Sequence, residues 1–220
     1  MGKHRITPSL VGGLMALMAF LMALTIGTVA GQHSERKAMV VTEANAIATA
    51  FLRAGFLEEP DQTSARELLK EYTEVRLSAA ENPDLFDAVI KRSEEIQGQL
   101  WPIVEDNVQQ GSESATMALF ADSINEVFTV HTLRITAAQR RLPRMYGMLL
   151  TMATLLSFLM IGVASSADNR RASTAIVLYA LAFMAVLLIV IDLDRPQDGV
   201  VNVSQKAMTD VLRRITAAGY

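Results

Sequence analysis

Long apolar blocks and charged amphipathic segments alternate along this chain. The first block, "SLVGGLMALMAFLMALTIGTVA", carries no charged residue, and the last block stays uncharged until Asp192. Roughly 20 apolar residues cross a bilayer core as a helix, and a spanning segment must satisfy its own backbone, so each block is predicted to be a transmembrane helix. The three predicted transmembrane helices cover residues 9–30, 145–165 and 173–192.

The first block has an alternative interpretation as a cleaved signal peptide. Its leader, residues 1–8, contains Lys3, His4 and Arg5, and "TVAG" loosely resembles a small-residue cleavage site. The apolar run is, however, longer than the usual signal core of about 7–15 residues. We therefore expect a retained transmembrane helix.

The middle of the chain, residues 31–144, has the pattern of a helical bundle inserted between the first two spans. Ser64 precedes Glu67 by three positions, which predicts a helix start with a capping box. Pro83 predicts a helix end, and Pro102 predicts a kink or a restart. A predicted core face of the following helix contains Phe120, Ile124, Val127 and Phe128. The fold class is therefore predicted to be all-α.

The C-terminal segment, residues 193–220, contains the only strand candidate, "GVVNVS", and then an amphipathic helix, "QKAMTDVLRRITAAGY". Basic residues flank the spans on both sides of the membrane. The bundle side has Arg36, Lys37, Arg140, Arg141, Arg144 and Arg195, and the other side has Lys3, Arg5, Arg170 and Arg171. Cytoplasmic flanks carry the excess of basic residues, so we expect a multi-pass protein of the cell membrane with a cytoplasmic bundle.

Composition excludes several kinds of site. The chain has no cysteine, which removes disulfides, thiolate nucleophiles and cysteine-based metal centres. Its three histidines lack zinc-site spacing, and no phosphate-binding loop or nucleophile elbow is present. The formal charge of -3 gives no sign of a nucleic-acid partner. We expect no enzymatic activity, no cofactor and no metal.

Polar residues on the helix after the first span are the first candidates for function. Asn45, Thr49 and Arg53 follow one another at intervals of four residues and share a face, and Glu43 lies beside them. Alanines make the rest of this helix slender. Such a stripe suits either the wall of an ion vestibule or a buried polar network between helices, and the pattern leaves both open.

Further candidates lie in the fourth predicted bundle helix, where "NEVFTVHTLR" contains Asn125, His131 and Arg134. The lone histidine is interpreted as a hydrogen-bonded core residue. Tyr72 and Arg76, at i and i+4, are interpreted as a structural pair. The only tryptophan, Trp101, is interpreted as a core or interface anchor.

The last span ends in "IVIDLDRP", where charge arrives at the membrane boundary. Arg195 can anchor the interface, and Pro196 ends the helix. The carboxylates of Asp192 and Asp194 gain nothing from anchoring. We expect them to pair with bundle arginines, of which Arg53 and Arg134 are the first candidates.

Several of these motifs together resemble the bestrophin-like domain family of bacterial membrane proteins. The likeness spans about Ala30 to Gln205 and rests on "EANAIATAFLRAG", "RELLKEYTEVRL", "QLW", "INEVFTVHTLR", "RLP" and "DLDRPQDGVVNVS". Many relatives have a further membrane helix before the first one here. The family-like positions are Glu43, Asn45, Arg53, Tyr72, Arg76, Trp101, Asn125, Arg134, Pro143, Asp192, Asp194, Arg195, Pro196 and Gly199.

The resemblance implies a homo-oligomeric channel or transporter in the lipid bilayer, with an inorganic anion as its substrate, because bestrophins are oligomeric anion channels. The alternative is a non-conducting membrane protein whose cytoplasmic bundle senses a signal or binds a partner. The candidates for a polar network or an ion pathway are Glu43, Asn45, Arg53, Asn125, Arg134, Asp192, Asp194 and Arg195.

Overall fold

A computed structural model describes residues 8–109, 115–164, 170–194 and 202–219. All regular structure in these ranges is helical, with no strand, which agrees with the predicted all-α class. The helices are α1 (Pro8–Ala54), α2 (Asp61–Glu81), α3 (Phe86–Gln109), α4 (Ala115–Gln139), α5 (Arg144–Ala164), α6 (Arg170–Asp194) and α7 (Lys206–Ala217), with a 3-10 turn at Pro83–Leu85.

Helix boundaries depart from the sequence signals in three places. The second helix begins at Asp61 rather than after Ser64, whose hydroxyl donates to the carbonyl oxygen of Pro60 at 3.1 Å. Helix α3 continues through Pro102 without a restart, since a proline removes only one backbone donor. The strand candidate after the last span has no regular structure over residues 202–204, and residues 199–201 lie outside the described ranges.

The chain divides into two compact units, Met1–His33 with Arg140–Val201, and Ser34–Gln139 with Asn202–Tyr220. The first unit is apolar, with a small core around Met18, Met22 and Phe183. Two described stretches, Met15–Ala54 and Val177–Asp194, are long and apolar enough to cross a membrane, and α5 adds a shorter apolar stretch, Met145–Leu159. The count of three spans stays a prediction.

The second unit, which we call the bundle, has a larger core that includes Ile47, Leu69 and Phe120. Helix α7 belongs to this core although α5 and α6 precede it in sequence. Its amphipathic pattern buries one face, which consists of Met208, Val211 and Ile215. Burial of this face excludes water from apolar side chains at both ends of the bundle sequence, so the two ends stabilise one another.

Polar contacts set the directions of the bundle helices. Helix α2 runs antiparallel to α1, because Glu43 pairs with Arg76 while Gly55, directly after the end of α1, accepts from Gln62 near the start of α2. The remaining neighbours follow from two more pairs of contacts. Helix α3 runs antiparallel to α2, because Arg92 contacts Glu71 and Asn107 contacts Asp61. Helix α4 runs antiparallel to α1, because Arg36 contacts Ala137 and Arg53 contacts Leu119. Helices α3 and α4 therefore also run antiparallel to one another.

Candidate functional site

The carboxylate of Glu43 is fully buried at the centre of the bundle. Its Oε1 accepts hydrogen bonds from the Tyr72 hydroxyl at 2.8 Å and from Nε of Arg76 at 2.9 Å, both on α2. Its Oε2 accepts from Nη1 of Arg134 on α4. One side chain of α1 thus joins three helices, and we call these groups the Glu43 network.

A buried charge is tolerated only when it is paired and hydrogen-bonded, and Glu43 meets both conditions. The network contains one carboxylate and two guanidiniums, so it carries an excess of one positive charge. Arg76 is 4% exposed, so little solvent reaches the guanidinium beside the carboxylate. An excess positive charge in such surroundings favours anions over cations.

His131 extends the network through its Nδ1, which lies 3.0 Å from the Tyr72 hydroxyl oxygen. A tyrosine hydroxyl has one proton, and the charged carboxylate of Glu43 is the stronger acceptor for it. The proton between the ring and the hydroxyl must then belong to Nδ1 of His131. In neutral His131 the other ring nitrogen, Nε2, is therefore an acceptor.

The electrostatics of the network follow from burial and from its two guanidiniums. Burial raises the pKa of Glu43, but Arg76 and Arg134 outweigh this effect and hold that pKa below its ordinary value. Burial, then Glu43, raises the pKa of Tyr72 well above its ordinary value. Burial, then Arg76, lowers the pKa of His131 to about 4. Burial lowers the pKa of Arg134, against the effect of Glu43. The histidine and the tyrosine are therefore neutral near pH 7.

Arg134 links the network to the C-terminal segment. Its Nη2 donates to Oε1 of Gln205 at 2.8 Å, and Nε2 of Gln205 donates to the carbonyl oxygen of Val203 at 3.0 Å. Gln205 immediately precedes α7. The position of α7 is therefore tied to the carboxylate of Glu43 through a single guanidinium.

Three other predicted residues of the bundle lie outside this network. Asn45 on α1 and Asn125 on α4 are exposed. Arg53 donates to the carbonyl oxygen of Leu119 at 2.7 Å and forms an ion pair with Asp122 at 3.4 Å. The sequence left two alternatives for the α1 stripe, a buried polar network and the wall of an ion pathway. Because Asn45 is exposed, the wall of an ion pathway stays as the prediction to be tested for this residue.

The aspartates of the last span belong to the apolar unit. Asp192 and Asp194 are half-buried, and Oδ1 of Asp194 accepts from the backbone N–H of Leu142 at 2.8 Å. This contact joins the end of α6 to the segment that precedes α5. Arg195 lies outside the described residues. The two bundle arginines have other observed partners, Asp122 and Glu43, and their pairing with the aspartates stays a prediction.

Sequence reasoning selected Glu43 and Arg134 but left out other members of the network. Tyr72 and Arg76 do share a face of α2, and their i, i+4 spacing was the available signal, although what they share is a bond to the same carboxylate. His131 is a hydrogen-bonded core residue, as interpreted. Nothing in the local pattern distinguishes Gln205 from any other surface glutamine.

The network can hold charge and fix helices, but its groups are poorly placed for catalysis. The carboxylate of Glu43 is neutralised by guanidiniums and its oxygens already accept hydrogen bonds, so it is a weak base. Within the described residues, no group of three or more His, Asp or Glu side chains could hold a metal ion. The chemistry is that of an ionic lock.

The described residues combine long apolar helices with a polar helical bundle, which is the architecture of a helical membrane protein. A family model described as the bestrophin-like domain matches residues 4–208, nearly the whole chain. The chain belongs to the bestrophin-like family of membrane proteins. No curated protein sequence matches it.

Solved structures share this fold. A bacterial bestrophin homologue from Klebsiella pneumoniae, solved by zinc phasing, has a TM-score of 0.76 at 14% identity, over 96% of this chain and 87% of that chain. A mutated form of the bestrophin homologue from the same organism has a TM-score of 0.77 at 15% identity, over 98% and 89%. A mutated membrane protein has a TM-score of 0.78 at 15% identity, over 99% and 89%. Identities this low establish similarity of fold.

Proposed function

We propose that this chain is one subunit of a homo-oligomeric channel for small inorganic anions in the cell membrane, with three membrane spans and a cytoplasmic bundle. Membership of the bestrophin-like family supports channel activity, because bestrophins are anion channels. The observation that carries the proposal is the polar stripe of α1, where the exposed Asn45 and Thr49 lie at i and i+4 and the half-buried Arg53 follows at i+8.

Apolar side chains beside this stripe support contact with further copies of the chain. Leu52 is 71% exposed, and Val41 on the same helix and Phe56, in the turn directly after it, are also exposed. Large apolar groups on the surface of a polar bundle are stabilised when a partner covers them. In a ring of identical subunits, α1 would present its polar stripe to the pathway and its apolar neighbours to the next subunit.

Small residues of the first span point the same way. A side-chain Cβ built on Gly12, Gly13 or Gly27 would meet no atom within 4 Å among the described residues. Close packing inside one chain therefore does not require glycine at these positions. A narrow pathway or a closely packed neighbouring copy would require it.

Anion flux through liposomes that contain the purified protein tests the proposal. We expect chloride flux, and we expect Asn45→Asp to reduce chloride permeability relative to potassium, because it adds a negative charge to the pathway wall. Gln99→Glu is the matched control, since it adds the same charge to an exposed position on α3.

Two results would count against the channel. The first is a monomeric protein in native mass spectrometry together with absence of flux for every ion tested. The second is an equal change of ion selectivity in both variants, since the effect of the added charge would then not depend on the position of Asn45. A stoichiometric soluble partner recovered from native membranes, without flux, would favour the alternative of a non-conducting sensor or binding protein.

A further inference from the structure

Three buried polar atoms of α3 and α4 have no hydrogen-bond partner among the described residues. They are Oγ of Ser93 and Nε2 of Gln97, both on α3, and Nε2 of His131 on α4. Ser93 is fully buried and His131 is 3% exposed. A buried polar group without a partner destabilises the folded protein, so three of them on two neighbouring helices need an explanation.

Helix register places two of these groups side by side. Trp101 on α3 contacts Phe128 on α4, with ring centroids 6.2 Å apart. Because the helices run antiparallel, three residues forward from Phe128 correspond to three residues back from Trp101. His131 therefore lies level with Gly98, which is next to Gln97. Gln97 also shares a helix face with Trp101, at i and i+4. The same face of α3 therefore presents Gln97 at the level of His131.

The third group belongs to the same layer. Arg92 on α3 binds Glu71 on α2 at 2.5 Å, and because these helices run antiparallel, this pair places Ser93 level with Lys70, about half a helical turn from Tyr72. Tyr72 is the residue that joins His131 to Glu43. The three unpartnered atoms and the Glu43 network therefore lie within a few residues of one level along α1, α2, α3 and α4, and we call them together the polar layer.

The donors of this layer suit an anion. The hydroxyl of Ser93 does not bond to its own helix, whereas Thr73 and Ser123, also buried, donate to backbone carbonyls of their helices. Its proton and the N–H groups of Gln97 are therefore available to a ligand. The neighbouring network has an excess of one positive charge, which disfavours a cation.

We propose that Ser93, Gln97 and His131 bind one small inorganic anion, such as chloride, together with one proton taken from solvent onto Nε2 of His131. Neutral His131 presents a lone pair at Nε2 and would repel the anion. The imidazolium ion presents a second N–H donor there while its Nδ1–H still donates to Tyr72. The anion and the proton together add no net charge to the core.

Affinity for the anion then increases with acidity. The charged groups that face the site are Glu43 from α1, Arg76 from α2 and Arg134 from α4, whereas α3 contributes the uncharged Ser93 and Gln97. His131 in the anion-free protein has a pKa of about 4. Between pH 7 and this value, the apparent affinity rises about tenfold for each pH unit, because binding takes up one proton.

This site is separate from the proposed pathway along the exposed face of α1, and its binding does not require conduction. The two proposals can therefore fail independently when binding is measured on the full chain in detergent. The probe is chloride, with gluconate at the same ionic strength as the reference anion. The measured quantity is the unfolding temperature as a function of chloride concentration at pH 5 and pH 7.

We expect chloride to stabilise the protein over gluconate, with a half-saturating concentration about 100-fold lower at pH 5 than at pH 7. The variants Ser93→Ala and Gln97→Leu should lose this difference between anions. Gln99→Leu, an exposed change of the same type on α3, should keep it. Crystals grown at low pH in bromide should show anomalous scattering between α3 and α4.

The proposal is wrong if chloride and gluconate give equal unfolding temperatures at pH 5, since an ordered water would then satisfy the three atoms. It is also wrong if Gln97→Leu keeps the full chloride effect. If the variants of α3 fail to fold, absence of a bromide peak in the wild-type protein is sufficient to overturn it.

Discussion

Replacing Glu43 by glutamine tests whether the ionic lock stabilises the bundle. The substitution keeps the size of the side chain but leaves Arg76 and Arg134 without a counter-charge in a core where Glu43 has no exposed surface. Breaking a buried ion pair by removing one partner costs about 3–5 kcal/mol. For a chain of this size each kcal/mol lowers the unfolding temperature by about 2–4 °C, so we expect a decrease of roughly 10 °C.

The assay is thermal unfolding of the full chain in one detergent, followed by circular dichroism. Asp122→Asn is the matched control, because it removes a carboxylate from an arginine pair whose acidic partner is 78% exposed, and should cost less than about 1 kcal/mol. The double variant Glu43→Gln/Arg134→Met should recover part of the loss by removing an uncompensated charge. An unfolding temperature within about 2 °C of the wild type for Glu43→Gln would refute the reasoning.

Three other outcomes follow from the bundle. In gluconate, the free energy of unfolding should fall as the pH falls from about 6.5 to about 4, because the folded protein holds the pKa of His131 at about 4 and the unfolded chain takes up the proton first. The variant His131→Gln should flatten this part of the pH profile, and an unchanged slope would contradict the assignment. Gly55→Ala should destabilise the protein by about 1–3 kcal/mol, since a Cβ there would lie 3.0 Å from a backbone oxygen. Gly98→Ala, in open space on α3, should stabilise it by about 0.5–1 kcal/mol. Equal changes in the free energy of unfolding, measured by chemical denaturation, would contradict this contrast. Gln205→Ala should speed amide exchange throughout α7, and unchanged exchange there would show that its buried apolar face alone holds the helix.

The pattern of apolar blocks predicted the helices well because lipid leaves few alternatives. A long uncharged run must satisfy its backbone internally, and α1 and α6 do so as helices. Helix α1 also continues from the first predicted span into the bundle, in a sequence that no proline interrupts before Pro60. Boundaries were less predictable at Ser64, where the helix begins one turn earlier.

The site was predictable only in part, because its members are distant in sequence. Glu43 and Arg134 are 91 residues apart and meet only after α1 and α4 pack antiparallel. Asn45 has the same local surroundings in sequence as Glu43, two residues earlier, yet it faces solvent while Glu43 is buried. A shift of two positions turns a helix by about 200°. A small error in assigning the buried face therefore assigns a surface residue to the buried network.

The discontinuous composition of the bundle has a consequence for biosynthesis. Met208, Val211 and Ile215 complete a core whose other members lie before residue 140 in the chain. During translation, the apolar helices α5 and α6 are synthesised between these two parts. Both apolar helices must therefore be synthesised before α7 can pack into the bundle. Until then, apolar core residues of the incomplete bundle are exposed to chaperones and proteases.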